Sequence, residues 1–571
     1  MLRIQRRAAL LFSVTTLKLN DALRLIDIAT LEISYNCARR EFRNYLWKFP
    51  EIIYGNSSGR TGRREPFVLG SDGGRTGASS SGCDVCIVGA GIAGMSIAYE
   101  LGRQGHEVIV LDDGAIGRGM TGRTTAHLVN ALDDRYYDLE KYHGEDGARM
   151  AAQSHSAAID WIETVAQRES IDCDFERLDG YLFEPPNESL KNLEKEFDAC
   201  QRAGLDVEWV DKAPIEAFDT HRAIKFPRQG QIHPLKYLQG LADAIVRNGG
   251  RIFTGTRVEE AIGGSNARVT TANKLTVTAK AIVVASNTPI NDRYVIHTKQ
   301  APYTTYVIGL QVKRNDVAHA LFWDTAERAG METGLGVVPY HYVRVAKGDS
   351  DGNEVLIVGG EDHKTGQADD FEQRYQRLED WARVRWPKAG EVAFQWSGQV
   401  MEPVDSMGYI GRNPADESNV YIVTGDSGNG MTHGTIAGML IPELIRRGDH
   451  AWAKLYDPTR ITLRTTPDFA KENINVARQY VDYFVASADD LKSGEGAVIR
   501  RGAKKIAVYR DEAGTLHEMT AVCPHLKCIV HWNRNETTWD CPCHGSRFDA
   551  LGKVLNGPSV ADLAPAENTD T

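Results

Sequence analysis

The sequence predicts an α/β domain of the Rossmann type joined to a mainly antiparallel sheet, followed by a small all-β domain. Three observations predict it. A strand, a glycine-rich turn, a helix and a second strand ending in an acid occupy residues 83–113. Four strand-like segments rich in Val, Ile and Tyr lie between residues 303 and 400. Four cysteines and two histidines then crowd into 523–544, among short strands.

Composition narrows the field. A chain of 571 residues exceeds one compact core, so two or three domains are expected. Its hydrophobic content of 42% and charged content of 25% match an ordinary globular protein. A net charge of -11 excludes nucleic acid as a partner, because phosphate binding needs a basic surface. No apolar run reaches the ~18 residues of a membrane-spanning helix. Five of the nine cysteines are dispersed, and the clustered four point to metal chemistry in an intracellular protein. The expected compartment is cytoplasmic. Met1–Asn20 holds Arg3, Arg6, Arg7 and Lys18 with no acid, so a mitochondrial presequence is the alternative. Residues 1–82 read as an extension closing on the Gly/Ser-rich linker Gly70–Gly82.

The folded body opens on "CDVCIVGAGIAGMSIAYELGRQGHEVIVLDD". The run "VCIV" suits a buried parallel strand. Gly89 permits the tight turn, Gly91 lets the backbone approach a pyrophosphate, and Gly94 lets helix and strand pack closely. The helix N-terminus offers free N–H groups and partial positive charge to the diphosphate. Asp112 closes "EVIVL" at the spacing of an acid that binds ribose hydroxyls. "AKAIVVASNTP" (279–289) reads as a strand returning to this sheet, and 419–445 as a strand, a glycine-rich loop and a helix beginning about Thr432.

These segments, with "TGRTTAHL" (121–128) and "GQIHPLKYLQGLADAIVRNGGRIFTGTRV", resemble the D-amino-acid-oxidase-like superfamily of FAD-dependent oxidoreductases. The resemblance covers residues 83–463 and implies an FAD-binding part interleaved with a substrate-binding sheet. It implies FAD contacts at Gly89, Gly91, Gly94, Asp112, Arg123, Thr124, Thr125, Val258, Gly425, Gly430, Met431 and Thr432. Some relatives attach flavin covalently through a histidine in a comparable loop. His127 is displaced from that register by one residue, so FAD is expected to bind non-covalently.

Strands are expected at 303–312, 340–345, 354–366 and 392–400. Alternation in "YHYVRV" sets His341, Val343 and Val345 on one face and Tyr340, Tyr342 and Arg344 on the other. Arg344 is a candidate clamp for a substrate carboxylate, with His341 and Tyr342 as neighbouring candidates. Sarcosine-oxidase-like relatives place an oxygen-activating lysine on such a strand. Ile357 falls there in this chain, which favours a dehydrogenase. "AERAGMETGLGVV" (326–338) reads as an insertion.

Residues 464–488 read as a linking helix with Thr466 as N-cap and Pro467 at the first helical position. In 489–566, Cys523-Pro-His525 and Cys541-x-x-His544 each offer one thiolate and one imidazole, with fifteen residues between. A [2Fe–2S] cluster held this way has two thiolates on one iron and two imidazoles on the other, which raises its potential. A Cys2His2 zinc site is the competitor, and it leaves Cys528, Cys543 and the Gly545-Ser546 pair unexplained. The segment closely resembles the Rieske domain of cytochrome complexes. That resemblance implies a Cys528–Cys543 disulfide and a Ser546 hydroxyl donated to a cluster sulfide. It also places Phe548 where high-potential members carry tyrosine.

Flavin takes two electrons as a hydride, whereas this cluster carries one. The expected function is therefore FAD-dependent dehydrogenation of a small amine or amino-acid-like substrate, with single electrons relayed through the cluster to an external acceptor. The alternative is a stand-alone flavin oxidase with the Rieske domain as redox sensor or docking module.

Overall fold

The computed structural model describes residues 81–566 apart from 186–188, 292–294, 326–339, 349–351, 415, 463–472, 474 and 477–486. The expected N-terminal extension, the 326–338 insertion and most of the linking helix lie outside the described residues.

The first sheet is the nucleotide sheet. Its strands run, in spatial order, Tyr409–Arg412, Val420–Thr424, Thr276–Val284, Ser81–Val88, Val108–Leu111 and Arg251–Phe253. All neighbours are parallel except the Tyr409–Arg412 edge. Both faces of the sheet are covered, so Val85–Val88, Val108–Leu111 and Ala281–Val284 are apolar on both sides. Val85, Ile87, Val108, Val110 and Val283 pack under helices Ile92–Arg103, Pro234–Arg247 and Gly430–Arg447. Cys86, Val88, Ile109, Leu111, Ile282 and Val284 face a second apolar layer that includes Val258, Ala267 and Val269 of the antiparallel hairpin Val258–Thr271.

The second sheet contains Val392–Pro403, Gln300–Lys313, Asn353–Lys364 and His341–Lys347 as consecutive antiparallel neighbours. It continues through Leu321–Asp324, Glu176–Phe183 and Ala223–Gln231 to His127–Leu128. One face is sealed by helix Phe371–Arg385: Tyr306, Ile308, Val343, Val345, Leu356 and Val358 pack with Phe371, Tyr375, Leu378 and Trp381. The opposite face carries Tyr342 and Arg344, as the alternation predicts.

The C-terminal part forms two small antiparallel sheets. One comprises Gly496–Arg501, Lys504–Arg510 and Leu516–Thr520. The other comprises His531–Asn533, Thr538–Asp540, Arg547–Asp549 and Val554–Asn556. Trp539, Phe548, Met519 and the four clustered cysteines share one core.

Candidate functional site

The glycine turn is as tight as the sequence implies. Gly89 has φ +111°, and a Cβ on it would strike the Ala285 carbonyl. A Cβ on Gly94 would strike the Gly89 carbonyl. Gly91 caps helix Ile92–Arg103 with no side-chain hydrogen bond of its own; the Ile92 N–H donates to Thr121 Oγ1 at 3.1 Å, and the helix end keeps its partial positive charge toward an anion. Asn429 likewise gives helix Gly430–Arg447 no side-chain cap. The two helices come together because Gly434 and Gly438 admit Ile92 and Ser96, each 2.5–2.6 Å from where a Cβ would stand. Two helix N-termini therefore lie in one region. That glycine-lined cradle fits a dinucleotide whose diphosphate and ring oxygens both need donors.

Asp112 ends its strand as expected. Its carboxylate accepts from the backbone N–H of Ala90 at 2.6 Å and Gly114 at 2.8 Å, and burial pushes it up to about 6. Val258 sits at the start of the hairpin, buried and paired with Thr271. Gly425 has φ +72°, and a Cβ there would come within 2.9 Å of Pro403. Met431 and Thr432 turn their side chains inward. Met431 packs in the core, and the Thr432 hydroxyl meets His155 Nδ1 at 2.8 Å. Only their backbone is left for a ligand.

The 120–127 loop holds a difference from expectation. The Arg123 guanidinium lies against the C-terminal part: it donates to the Ser397 carbonyl at 2.9 Å and to both carboxylate oxygens of Glu536 at 2.9 Å. The Arg123 carbonyl accepts from Trp396 Nε1 at 2.9 Å, and the Thr124 hydroxyl accepts from Ala126 N at 3.0 Å. Thr125 Oγ1 meets His127 Nδ1 at 3.0 Å, and His127 Nε2 meets the Val343 carbonyl at 3.2 Å. Both ring nitrogens of His127 are thus engaged. Burial, helped by Arg344, pushes this histidine down to about 3, so it stays neutral.

The three substrate candidates separate. Arg344 is 2% exposed and donates to the Thr125 carbonyl and to Gln231 Oε1, so it braces the 120–127 loop instead of presenting a free fork. His341 lies on the helix-covered face. Its Nδ1 meets Asp324 Oδ2 at 2.9 Å, and its ring stacks on Trp381 at 4.2 Å. Tyr342 lies on the face opposite helix Phe371–Arg385, its hydroxyl 2.8 Å from Thr305 Oγ1 and its ring 5.8 Å from His127.

A group the sequence reading missed flanks the glycine loop. Asp133 accepts from Tyr340 Oη at 2.5 Å and lies where a Cβ on Gly428 would strike it. Burial pushes Asp133 up to about 7. The Ser427 hydroxyl lies between Asp134 and Glu402, 3.0 Å from the latter. Burial raises Asp134, burial and neighbouring acids raise Glu402, and burial brings Asp426 and Asp362 to about 6. No local spacing signals this group, because the glycine loop, the 133–134 turn and strands Asn353–Lys364 and Val392–Pro403 each supply part of it.

In the C-terminal part, Cys523 and Cys541 are buried free thiols, and Cys528 and Cys543 form a disulfide with Cα atoms 6.4 Å apart. The loops are tied by Cys523 N to the Cys528 carbonyl at 2.8 Å and by Cys541 N to the Ser546 carbonyl at 2.8 Å. The His525 and His544 rings lie 5.1 Å apart, and His544 Nδ1 is buried with no hydrogen-bond partner among the described residues. Two thiols, two adjoining imidazoles and an orphaned ring nitrogen fit a [2Fe–2S] cluster of mixed ligation. Ser546 is fully buried, and its Oγ accepts from Ser559 N at 3.0 Å.

Comparison with known proteins agrees with both halves. Residues 84–444 match the family model described as FAD dependent oxidoreductase, and residues 481–567 match the Rieske [2Fe-2S] domain. YhfW of Bacillus subtilis (strain 168), a protein named for a Rieske 2Fe-2S centre, is 28% identical over 84% of this chain and 92% of its own. Gamma-glutamylputrescine oxidoreductase of Escherichia coli (strain K12) is 31% identical over 64% of this chain and 84% of its own. Glycine oxidase from Geobacillus kaustophilus superposes with a TM-score of 0.54 at 20% identity, covering 67% of this chain and all of that one. No helix among the described residues is long and apolar enough to cross a membrane.

Proposed function

From a chain that belongs to the FAD dependent oxidoreductase family and carries a C-terminal Rieske [2Fe-2S] domain, we propose an amine dehydrogenase that delivers its electrons singly to an external acceptor. One observation carries the reading. Arg123, on the loop expected beside the flavin ring, is ion-paired to Glu536 of the Rieske segment at 2.9 Å, so the two redox parts share a built contact. A sensor module tethered only by a linker would need no such pair.

When bound, FAD accepts two electrons as a hydride and the cluster passes them on one at a time. The chain's own residues do the rest. The backbone of Gly89–Gly94 and of Gly428–Thr432, with Asp112 and Val258, would hold the dinucleotide. Cys523, His525, Cys541 and His544 hold the cluster. Arg344 and His127 fix the 120–127 loop, and Tyr342 lines the substrate side. The carboxyl group at Asp133, Glu402 and Asp426 favours a cationic substrate, in keeping with the amine named for the Escherichia coli relative. A substrate ammonium must shed a proton before its C–H bond can leave as hydride. Asp133, pushed up to about 7, can accept that proton near neutral pH.

Turnover of a panel of primary amines and amino acids tests the proposal, with ferricyanide or oxygen as acceptor. Amine-dependent ferricyanide reduction that outpaces peroxide formation supports it. Peroxide formation at an equal rate, unaffected by loss of the cluster, contradicts it and favours the oxidase alternative.

A further inference from the structure

The imidazole edge of the Rieske segment is not an open surface. His297 belongs to the turn between strands Thr276–Val284 and Gln300–Lys313, and is 3% exposed. Its ring lies 4.7 Å from that of His525 at 72°, and 5.4 Å from that of His544 at 60°. With the 5.1 Å contact between the two ligand rings, three imidazoles form one packed group. Edge-on ring contacts of this kind are directional as well as apolar.

Both sides of this contact are fixed by their own structure. On the flavin side, neighbouring Lys299 donates to the carbonyls of Pro458 at 3.0 Å and Arg460 at 2.9 Å. Gln300 Nε2 donates to Thr424 Oγ1 at 3.1 Å, one residue before the glycine loop at Gly425. On the Rieske side, Gly545 has φ +80°, and a Cβ there would lie 2.8 Å from both Pro302 and Gln399. Gln399 Nε2 donates to the Gly545 carbonyl at 3.0 Å. Glycine is therefore required at 545 by its backbone conformation and by the closeness of the flavin body.

We propose that His297 is a positioning residue that seats the two cluster-ligating imidazoles against the flavin body, making their edge the internal entry for electrons. This rests on the relay reading above. Atoms and electrons balance: the neutral amine's C–H bond breaks and its hydride goes to FAD, the resulting iminium loses its N–H proton to solvent to leave an imine, and two one-electron transfers through this edge would return the flavin to its oxidised state as the hydride's proton also leaves to solvent. The oxidant is an external one-electron acceptor, which must meet a different face of the Rieske segment while the imidazole edge is covered.

The test uses full-length holoprotein as wild type, His297→Ala and His297→Phe. The first readout is the EPR line shape of the dithionite-reduced cluster, which needs no turnover. The second is the rate at which that signal grows after flash photoreduction of the flavin. His297→Ala is expected to alter the line shape and slow the transfer roughly tenfold or more, the scale of loss from a small misplacement of reacting centres. His297→Phe keeps a ring in the wedge and is expected to recover most of the rate. Gln399→Ala asks the same question should His297→Ala lose its cluster, and is expected to slow transfer in the same direction. Wild-type transfer with unchanged rate and line shape in both His297→Ala and Gln399→Ala would overturn this inference alone. Absence of transfer in the wild type would overturn the relay and this inference together.

Discussion

Replacing Glu536 by glutamine removes the charge at the centre of the contact between the two redox parts. The carboxylate is 11% exposed, accepts from Arg123 and Ser397, and lies 3.2 Å from Arg547 Nη2. Burial alone would raise it, but the two guanidinium groups outweigh burial and bring it from 4.5 down to about 2. At about 1.4 kcal/mol per unit, that difference corresponds to about 3 kcal/mol of stabilisation. Removing one partner of a buried pair costs about 3–5 kcal/mol when the opposite charge is stranded. Here Arg547 keeps Asp540 at 3.1 Å and Arg123 keeps the Ser397 carbonyl, so the lower end is expected. The sign follows from linkage. A carboxylate whose folded value is depressed contributes fully above 4.5 and loses that contribution as pH falls toward 2. Chemical denaturation, followed at the visible absorbance of the cluster, should show Glu536→Gln less stable by about 3 kcal/mol at pH 7. The gap should narrow below pH 4.5 and close near pH 2. A difference under about 0.5 kcal/mol at pH 7, the size of an ordinary surface change, or one that does not vary with pH, would refute the reasoning.

Three other perturbations have defined outcomes. Gly94→Ala places a methyl group on the Gly89 carbonyl, so purified protein should retain the cluster absorbance and lose most of its flavin. Ser546→Ala removes a buried hydroxyl beside the cluster ligands. A hydrogen bond to a charged group is worth about 1.5 kcal/mol or more, so a redox titration should show a potential lower by roughly 60 mV for one electron. Asp133 acts as a base only when ionised, so amine-dependent kcat/KM should rise with pH through about 7. Asp133→Asn should flatten that rise and lower activity by roughly 10²-fold or more, and a retained pH profile would remove Asp133 from the proton transfer.

Local signals carried much of the molecule. GxGxxG between two apolar strands, and two Cys/His loops among short strands, are patterns in which spacing and chemistry coincide. The alternation in "YHYVRV" correctly separated the two faces of its strand. It could not tell which face helix Phe371–Arg385 would cover, and so His341 was grouped with residues on the other side. Helix Tyr136–Arg168 buries a stripe made partly of small residues, among them Gly147, Ala148, Ala151, Ala152 and Ala158, and Gly144 interrupts it at φ +73°. Arg123 carried an expected cofactor role from its loop, yet its partner lies more than 400 residues away. The carboxyl group around Asp133 was hidden for the same reason: its members come from segments that only the fold assembles.

Anaerobic photoreduction of the flavin in full-length protein, with the cluster followed by EPR, tests the relay most directly. The reduced-cluster signal should grow as the flavin re-oxidises, on the timescale of turnover. A flavin that stays reduced beside an oxidised cluster would contradict the relay.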